Sequence, residues 1–389
     1  GYMRGHNEKN QTRFYAMFAV AIACAMGTAF AGNLFTLFLF YEILTVSTYP
    51  LVAHAGTEEA KRGARTYLGI LLGTSIGLQL PAIMITYSIA GTLDFTEGGI
   101  VSGHLDPAWA GLLYALFIFG IGKAAVMPLH RWLPAAMVAP TPVSALLHAV
   151  AVVKAGVFSI LKITLFIFGT DFITESGASD WLIWFAGGTI LLASLVAMTK
   201  DNLKARLAYS TVSQLSYIVL GAMLATQMGI LGGSLHIAMH AFAKITLFFA
   251  AGAILVAAHK TEISDMAGLG RAMPITFGAF FIGSMSIIGL PPFGGMWSKW
   301  YLVLGTIEAG QLALLAVLLI SSLLNIAYLL PIPVRAFFGK AADGTVYTEI
   351  KEAPPSCLLA MIVTSLACLV LFFYPGAFYE LASMAAGVE

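Results

Sequence analysis

The chain has 389 residues, of which 59% are hydrophobic and only 10% charged, where a soluble domain carries about 25% charged residues. Its net charge of +1 gives no basis for nucleic-acid binding, and Cys24, Cys357 and Cys368 stand alone in apolar runs without CxxC spacing. Stretches long enough to cross roughly 30 Å of hydrocarbon recur along its whole length, without the period-2 alternation of barrel strands. The composition therefore predicts an all-α polytopic membrane protein.

A polar opening segment, 1–13, lacks an initiator Met and any signal-peptide pattern. Eleven spans are predicted after it, over 14–31, 33–53, 65–90, 108–128, 142–169, 180–198, 205–226, 229–258, 273–303, 311–338 and 355–379. The fourth runs into a loop with Pro128, Pro134, Pro140 and Pro142, in which LHRWLPAAM is expected to form a short half-helix. Pro291-Pro292 followed by Gly294-Gly295 interrupts the ninth. Broken helices persist at membrane depth only where other helices or cavity water satisfy the freed backbone groups.

Loop charges test this count. One set of alternate loops holds Arg4, Lys9, Arg13, Lys61, Arg62, Arg65, Arg131, Lys200, Lys204, Arg206, Lys260, Arg271, Arg335, Lys340 and Lys351. The other set holds Asp94, Glu97, Asp106, Asp171, Glu175, Asp180 and Glu308, with no Lys or Arg. The positive-inside rule then puts the N-terminus in the cytoplasm and makes the chain multi-pass in the cell's inner membrane. Spans one to five and six to ten share the pattern of a Lys beside a Pro-rich break, Lys123 and Lys299. Five is odd, so two such units in tandem are inverted relative to each other, a transporter architecture. The expected organisation is a first repeat over 14–170, a second over 171–340, and a loop with a C-terminal transmembrane helix over 341–389.

Six charges fall inside the spans: Glu42, Lys123, Lys154, Lys162, Lys244 and Lys299. Charges at that depth are costly and mark ion paths or counter-ions. Glu42 is either a counter-ion or a neutral acid hydrogen-bonded to another helix. A Glu–Lys pair at roughly 4 Å gains about 4 kcal/mol at an effective dielectric near 20, so separating Glu42 from Lys123 would free the lysine's proton. The bland alternative for Lys123 is snorkelling towards Arg131. His148, Lys154 and Lys162 share the fifth span, and Gly156 would loosen the helix beside Lys154. The two lysines lie about 12 Å apart along the helix and on one side, with Lys162 the weaker candidate that only lines a path. His236, His240 and Lys244 repeat at i, i+4, i+8, steps of about 6 Å that one water can bridge. HxxxH is also a zinc spacing, yet no HExxH glutamate and no further ligand is near, which favours a proton relay. Ser213, Gln214 and Tyr217 offer a polar wall, or merely helix contacts. Lys299 is the expected last station before the exterior, or an interfacial lysine among Trp297, Trp300 and Tyr301. No Walker A, GxGxxG or haem ligand pair is present, so no cofactor or metal is expected.

Four stretches, GKAAVMPLHRWLPAAMVAPTPVSALLHAVAVVKAGVF, DNLKARLAYSTVSQLSYIVLG, HIAMHAFAKITLFFAAGAI and GLPPFGGMWSKWYL, resemble the antiporter-like membrane subunits. That superfamily includes Mrp-type cation/proton antiporters, pumping subunits of respiratory complex I, and membrane-bound hydrogenases. The resemblance implies two inverted five-helix repeats joined by a hydrophilic axis. It matches the family's Glu–Lys pair to Glu42 and Lys123, and its central lysine to Lys154. Its relay histidines correspond to His148, His236 and His240, its second-repeat lysine to Lys244, and its exit residue to Lys299. It implies transport of protons, with Na+ or K+ as the exchanged cation, inside a complex with other membrane subunits; a redox-driven pumping arm is the alternative. Full-length members carry about three more helices before the first repeat, and no long lateral helix is expected after the second. Later runs, GGMWSKWYL and SSLLNIAYLLPIPVRAFFG, resemble D-type Mrp and hydrogenase-type members most.

Overall fold

A computed structural model describes residues 1–341, 347 and 349–388. Among these the chain is built of helices, nine of them long and apolar enough to cross a membrane, with two shorter apolar ones. The first five-span unit comprises α1 (Gln11–Phe30), α2 (Leu34–Val52), α3 (Glu58–Ala90), α4 (Pro107–Gly120) with its broken continuation, and α5 (Thr141–Phe168). The second comprises α6 (Leu182–Thr199), α7 (Leu203–Leu224), α8 (Gln227–Ala258), α9 (Pro274–Ile288) with α10 (Gly295–Glu308), and α11 (Leu312–Phe338). Then follow α12 (Pro355–Phe373) and α13 (Gly376–Ala386).

Local chemistry sets the ends. The side chain of Asn33 accepts from the Thr36 N–H at 2.8 Å and that of Asn202 from the Ala205 N–H at 3.1 Å, capping the second helix of each unit. Each cap residue also pairs in an antiparallel bridge with the segment following its unit's third helix, Asn33 with Asp94 and Asn202 with Glu262. Asn202→Ala is expected to lower stability by about 1 kcal/mol, read as an earlier thermal unfolding in detergent. An unchanged midpoint would remove the cap from the list of what holds this helix.

The third helix begins at Glu58 rather than 65, because Thr57 caps it and Glu58 and Glu59 favour its first turn. The fourth span is helical only to Gly120, short of the expected 128. Beyond it run 3₁₀ turns, a left-handed Ala125 and one short α-helix, Trp132–Ala135, all that forms of the expected half-helix. Pro128 and Pro134 remove two N–H donors there. The ninth span divides as expected, at a left-handed Gly289 and the two prolines that follow. The last span stops at Phe373, not 379, because Pro375 begins a separate helix. Thr170–Ser176, read as loop, is also helical.

Backbone contacts sort the loops onto two faces. Asp201 meets Ser264, Gly268 meets Arg335, and Lys351 meets Ala272 on the face carrying the basic residues, and Lys204 donates to the Ala139 carbonyl, which puts the end of the first unit's fourth span on the same face. On the other, Gly32 meets Phe95, Thr96 meets Phe166, and Met228 meets Glu308. The first helix leaves the basic face and α6 leaves the opposite one, so the two units are inverted.

Helix α7 lies at the centre, 94% buried, against 22% for α1 and α12 at the rim. It meets α8, and α8 meets α10, through glycines. A Cβ on Gly221 would lie 2.6 Å from the Gly229 carbonyl oxygen, and one on Gly305 2.5 Å from the Gly229 nitrogen. One on Gly232 would lie 2.6 Å from the Leu302 nitrogen. Backbones are in direct contact along this seam.

Candidate functional site

Of the buried charged groups, Lys123 lies where helical hydrogen bonding is interrupted. Lys123 occupies the 3₁₀ turn Gly122–Ala124 at the first break and is fully buried. Its Nζ donates to the Tyr41 carbonyl at 2.8 Å and to Thr45 Oγ1 at 2.5 Å, and sits 3.0 Å from the centre of the Tyr41 ring. It points inward, not towards Arg131. Glu42 neighbours Tyr41 on α2, yet it forms no ion pair with Lys123, and its buried Oε1 has no hydrogen-bond partner. The expected pair is thus a neighbourhood rather than a contact. Consecutive helical residues point about 100° apart, and the Tyr41/Thr45 side of α2 takes the amine.

Gly156 does not loosen its helix. A Cβ there would lie 2.5 Å from the Ala124 nitrogen, so this glycine seats α5 directly against the broken segment that carries Lys123. Two residues earlier, Lys154 Nζ lies 2.8 Å from His240 Nδ1. This contact joins the first unit to the second. Lys154 also lines a cavity of about 270 Å³ with Ile22, Met26, Val150 and Phe158. Lys162 goes elsewhere. Half-buried, it donates to the Ala31 carbonyl at 2.6 Å and stands 4.3 Å from the Phe95 ring, at the end of α1 and away from the row. The reason is the free carbonyl end of α1, a ready acceptor for a cation.

His148 sits in a widened π turn, Leu146–Val150, with both ring nitrogens unpartnered and its ring 5.0 Å from that of Phe248. On α8, His236 and His240 have ring centres 5.8 Å apart, as the i, i+4 spacing requires. Ring nitrogens of His236 meet Ser298 Oγ at 2.8 Å and Gln214 Oε1 at 3.2 Å, and its face stacks on Tyr217. Lys244 Nζ donates to Ser210 Oγ at 2.7 Å and to the Leu207 carbonyl at 3.2 Å.

Lys299 lies on α10, about one turn past the second break. Its Nζ donates to the Ile288 carbonyl at 3.1 Å and to Ser322 Oγ at 3.2 Å, 4.9 Å from the Tyr217 ring. A buried amine facing inward differs from an interfacial one; Trp300 beside it is the exposed residue. Lys299 lines a cavity of about 440 Å³ with Tyr217, Trp300 and Ser322. Ser213 belongs to a cluster with Ser194 and Ser321 that joins α6, α7 and α11, so it staples helices and does not extend the row.

Sequence reasoning missed Thr45, Ser210, Ser298, Asn325 and Tyr328, all of which touch the row. The only available signal was a lone amide and a tyrosine three residues on in the apolar run SSLLNIAYLL. Among the described residues no three His, Cys, Asp or Glu side chains converge as metal ligands. Read together, the groups form a string of amines, imidazoles and hydroxyls able to hand on protons, with no carboxylate of the described residues in contact with any of its lysines.

Residues 31–325 match the family described as "NADH:quinone oxidoreductase/Mrp antiporter, TM". NADH-quinone oxidoreductase subunit N of Desulforudis audaxviator is 34% identical over 389 residues, a match covering 95% of this chain and 76% of that protein. A Na(+)/H(+) antiporter subunit from Alkalihalophilus pseudofirmus is 30% identical, over 86% of this chain and 67% of its own. Among solved structures, a chain of the Mrp complex from Dietzia sp. superposes with a TM-score of 0.83 at 26% identity, over 95% of this chain and 77% of the other.

Proposed function

Since the chain belongs to the NADH:quinone oxidoreductase/Mrp antiporter transmembrane family, we propose that it is the proton-conducting membrane subunit of a multisubunit monovalent cation/proton antiporter. Protons are taken up near Glu42 and Lys123, pass along Lys154 and the row of His240, His236 and Lys244, with His148 beside it, and leave at Lys299, or run in reverse. The observation that carries this reading is the 2.8 Å contact of Lys154 with His240, which joins the two inverted units at the protein's centre. From His240 to His236 the step is 5.8 Å between ring centres, a distance that one bridging water spans. Neighbouring amines cannot all be charged in so dry a place, and alternation of their charge is what proton hopping needs. Gln214 and Tyr217 line the path.

The repeats are assigned to 14–170 and 171–340. The face rich in Lys and Arg is assigned to the cytoplasm, which puts the N-terminus there and the protein in the cell's inner membrane. Other membrane subunits of a hetero-oligomeric complex are its partners, in keeping with relatives that are named as subunits.

The test is transport by the purified complex in vesicles. An imposed Na+ or K+ gradient should drive an opposing pH change; no proton movement with either cation sinks the antiporter reading. The second reading, a pumping arm of a redox complex, is favoured by the 34% identity to a subunit of an NADH-quinone oxidoreductase. Mass spectrometry of co-purified subunits separates the two, because cluster-binding peripheral proteins belong only to the redox complex.

A further inference from the structure

Between Lys244 and Lys299 runs a chain of hydrogen bonds that neither the sequence nor the family match singles out. Lys244 Nζ donates to Ser210 Oγ, which lies 2.9 Å from the Tyr328 hydroxyl. That hydroxyl lies 2.6 Å from the side-chain amide of Asn325. The far side of the amide faces Lys299 Nζ at 3.0 Å and Gln214 Nε2 at 3.2 Å. Gln214 in turn meets His236. All five residues of the chain are buried.

An amide can sit in this cradle in two orientations of the same shape. With Oδ1 towards Lys299 and Gln214, both donate to it, and Nδ2 donates to the Tyr328 hydroxyl and to the Ser321 carbonyl at 3.3 Å. Tyr328 has one hydrogen, which then goes to Ser210. Among the described residues Ser210 has only Lys244 and Tyr328 as partners, so its own hydrogen must go to Lys244. A charged ammonium has no lone pair and cannot accept it; Lys244 must be neutral.

With the amide reversed, Oδ1 accepts from Tyr328, Tyr328 accepts from Ser210, and Ser210 accepts from a charged Lys244. The Nδ2 hydrogens now face Lys299 and Gln214. Lys299 can accept only when neutral. Gln214 answers by turning its own amide, so that Oε1 faces Asn325 and Nε2 donates to His236, whose remaining ring hydrogen goes to Ser298. The bonds between the lysines thus all point one way or all point the other, and the second orientation gives up the amide's donation to the Ser321 carbonyl. If both lysines are charged, a buried donor is left without an acceptor, which is costly at this depth.

We propose that Asn325 is a two-position amide switch that allows either Lys244 or Lys299, but not both, to carry the proton. It is a positioning residue: it sets the charge of its neighbours and does not itself bind the moving proton. The inference rests on Lys244 and Lys299 being proton stations. The titratable and charged groups around them are Tyr217, Tyr328, His148, Lys154, His236 and His240, with Arg206 on the Tyr328 carbonyl, and no carboxylate of the described residues contacts either amine.

The experiment is the pH profile of proton flux in vesicles holding the whole complex. Asn325→Asp keeps the shape but only accepts, holding Lys299 charged. Tyr328→Phe cuts the link to Lys244, so Asn325 settles with its oxygen on Lys299. Both variants should move the profile to higher pH by about one unit or more. A profile that coincides with wild type, moves to lower pH, or shows no flux anywhere from about pH 6 to about pH 10 overturns the switch. If Asn325→Asp fails to assemble, Tyr328→Phe alone decides. A Lys244→Ala control that retains full flux would instead defeat the underlying proton-path reading.

Discussion

Replacing Lys244 or Lys123 by Ala is expected to reduce coupled proton flux by on the order of 100-fold or more, to the level of empty vesicles. Each amine is fully buried and held by neutral oxygens alone, Lys244 by Ser210 and Leu207, Lys123 by Tyr41 and Thr45. Such a site binds a proton without a permanent counter-ion and can therefore give it up, which a salt-bridged lysine does only at greater cost. Alanine removes the station while leaving small polar groups that water can satisfy, so the complex should still assemble. Assembly is read by co-purification and flux by an internal pH dye. Wild-type flux in both variants would sink the relay.

The second large effect is structural. Gly295→Ala would drive a Cβ into the Ser286 carbonyl oxygen, far inside van der Waals contact, across the break between α9 and α10. Backbone on the other side cannot rotate away as a flexible side chain would. Overpacking of a buried site typically costs about 1–3 kcal/mol, and a backbone clash this close belongs at or beyond the upper end. The expected result is loss of the complex from the membrane fraction, or a lower unfolding midpoint where it survives. Gly278→Ala, where the added methyl meets nothing within 4 Å, is the matched control. Equal stability of the two variants would mean that the break is looser than its geometry.

Hydropathy placed all eleven spans, and Pro291-Pro292 marked the second break. Boundaries fared worse where a single residue decides them, as at Thr57, whose cap starts the third helix early, and Pro375, which ends the last one. Within the site, charged residues announced themselves because nothing else explains a lysine in an apolar run. Their partners did not. Thr28, Thr86 and Ser159 bond only the carbonyl four residues back, as polar residues in helices commonly do, whereas Thr45 bonds that carbonyl and a lysine across from it, and Ser210 bonds only across helices. That difference lies in how helices face one another, which no single chain pattern encodes. The same blindness produced the expected Glu42–Lys123 contact, since spacing along the chain does not give direction around a helix.

The glycine seam among Gly221, Gly229, Gly232 and Gly305 leaves no side-chain layer between α7 and α8 or between α8 and α10. Side chains are the cushion on which packed helices shear past each other, and here that cushion is missing. Any displacement of α10 is passed directly to α8, which carries His236 and His240. Lys299 on α10 and the two histidines are therefore expected to keep a fixed spacing when these helices move. On the proposed proton path, timing in this half of the protein would then fall to rotating amides, hydroxyls and amines, groups that turn far faster than whole helices rock.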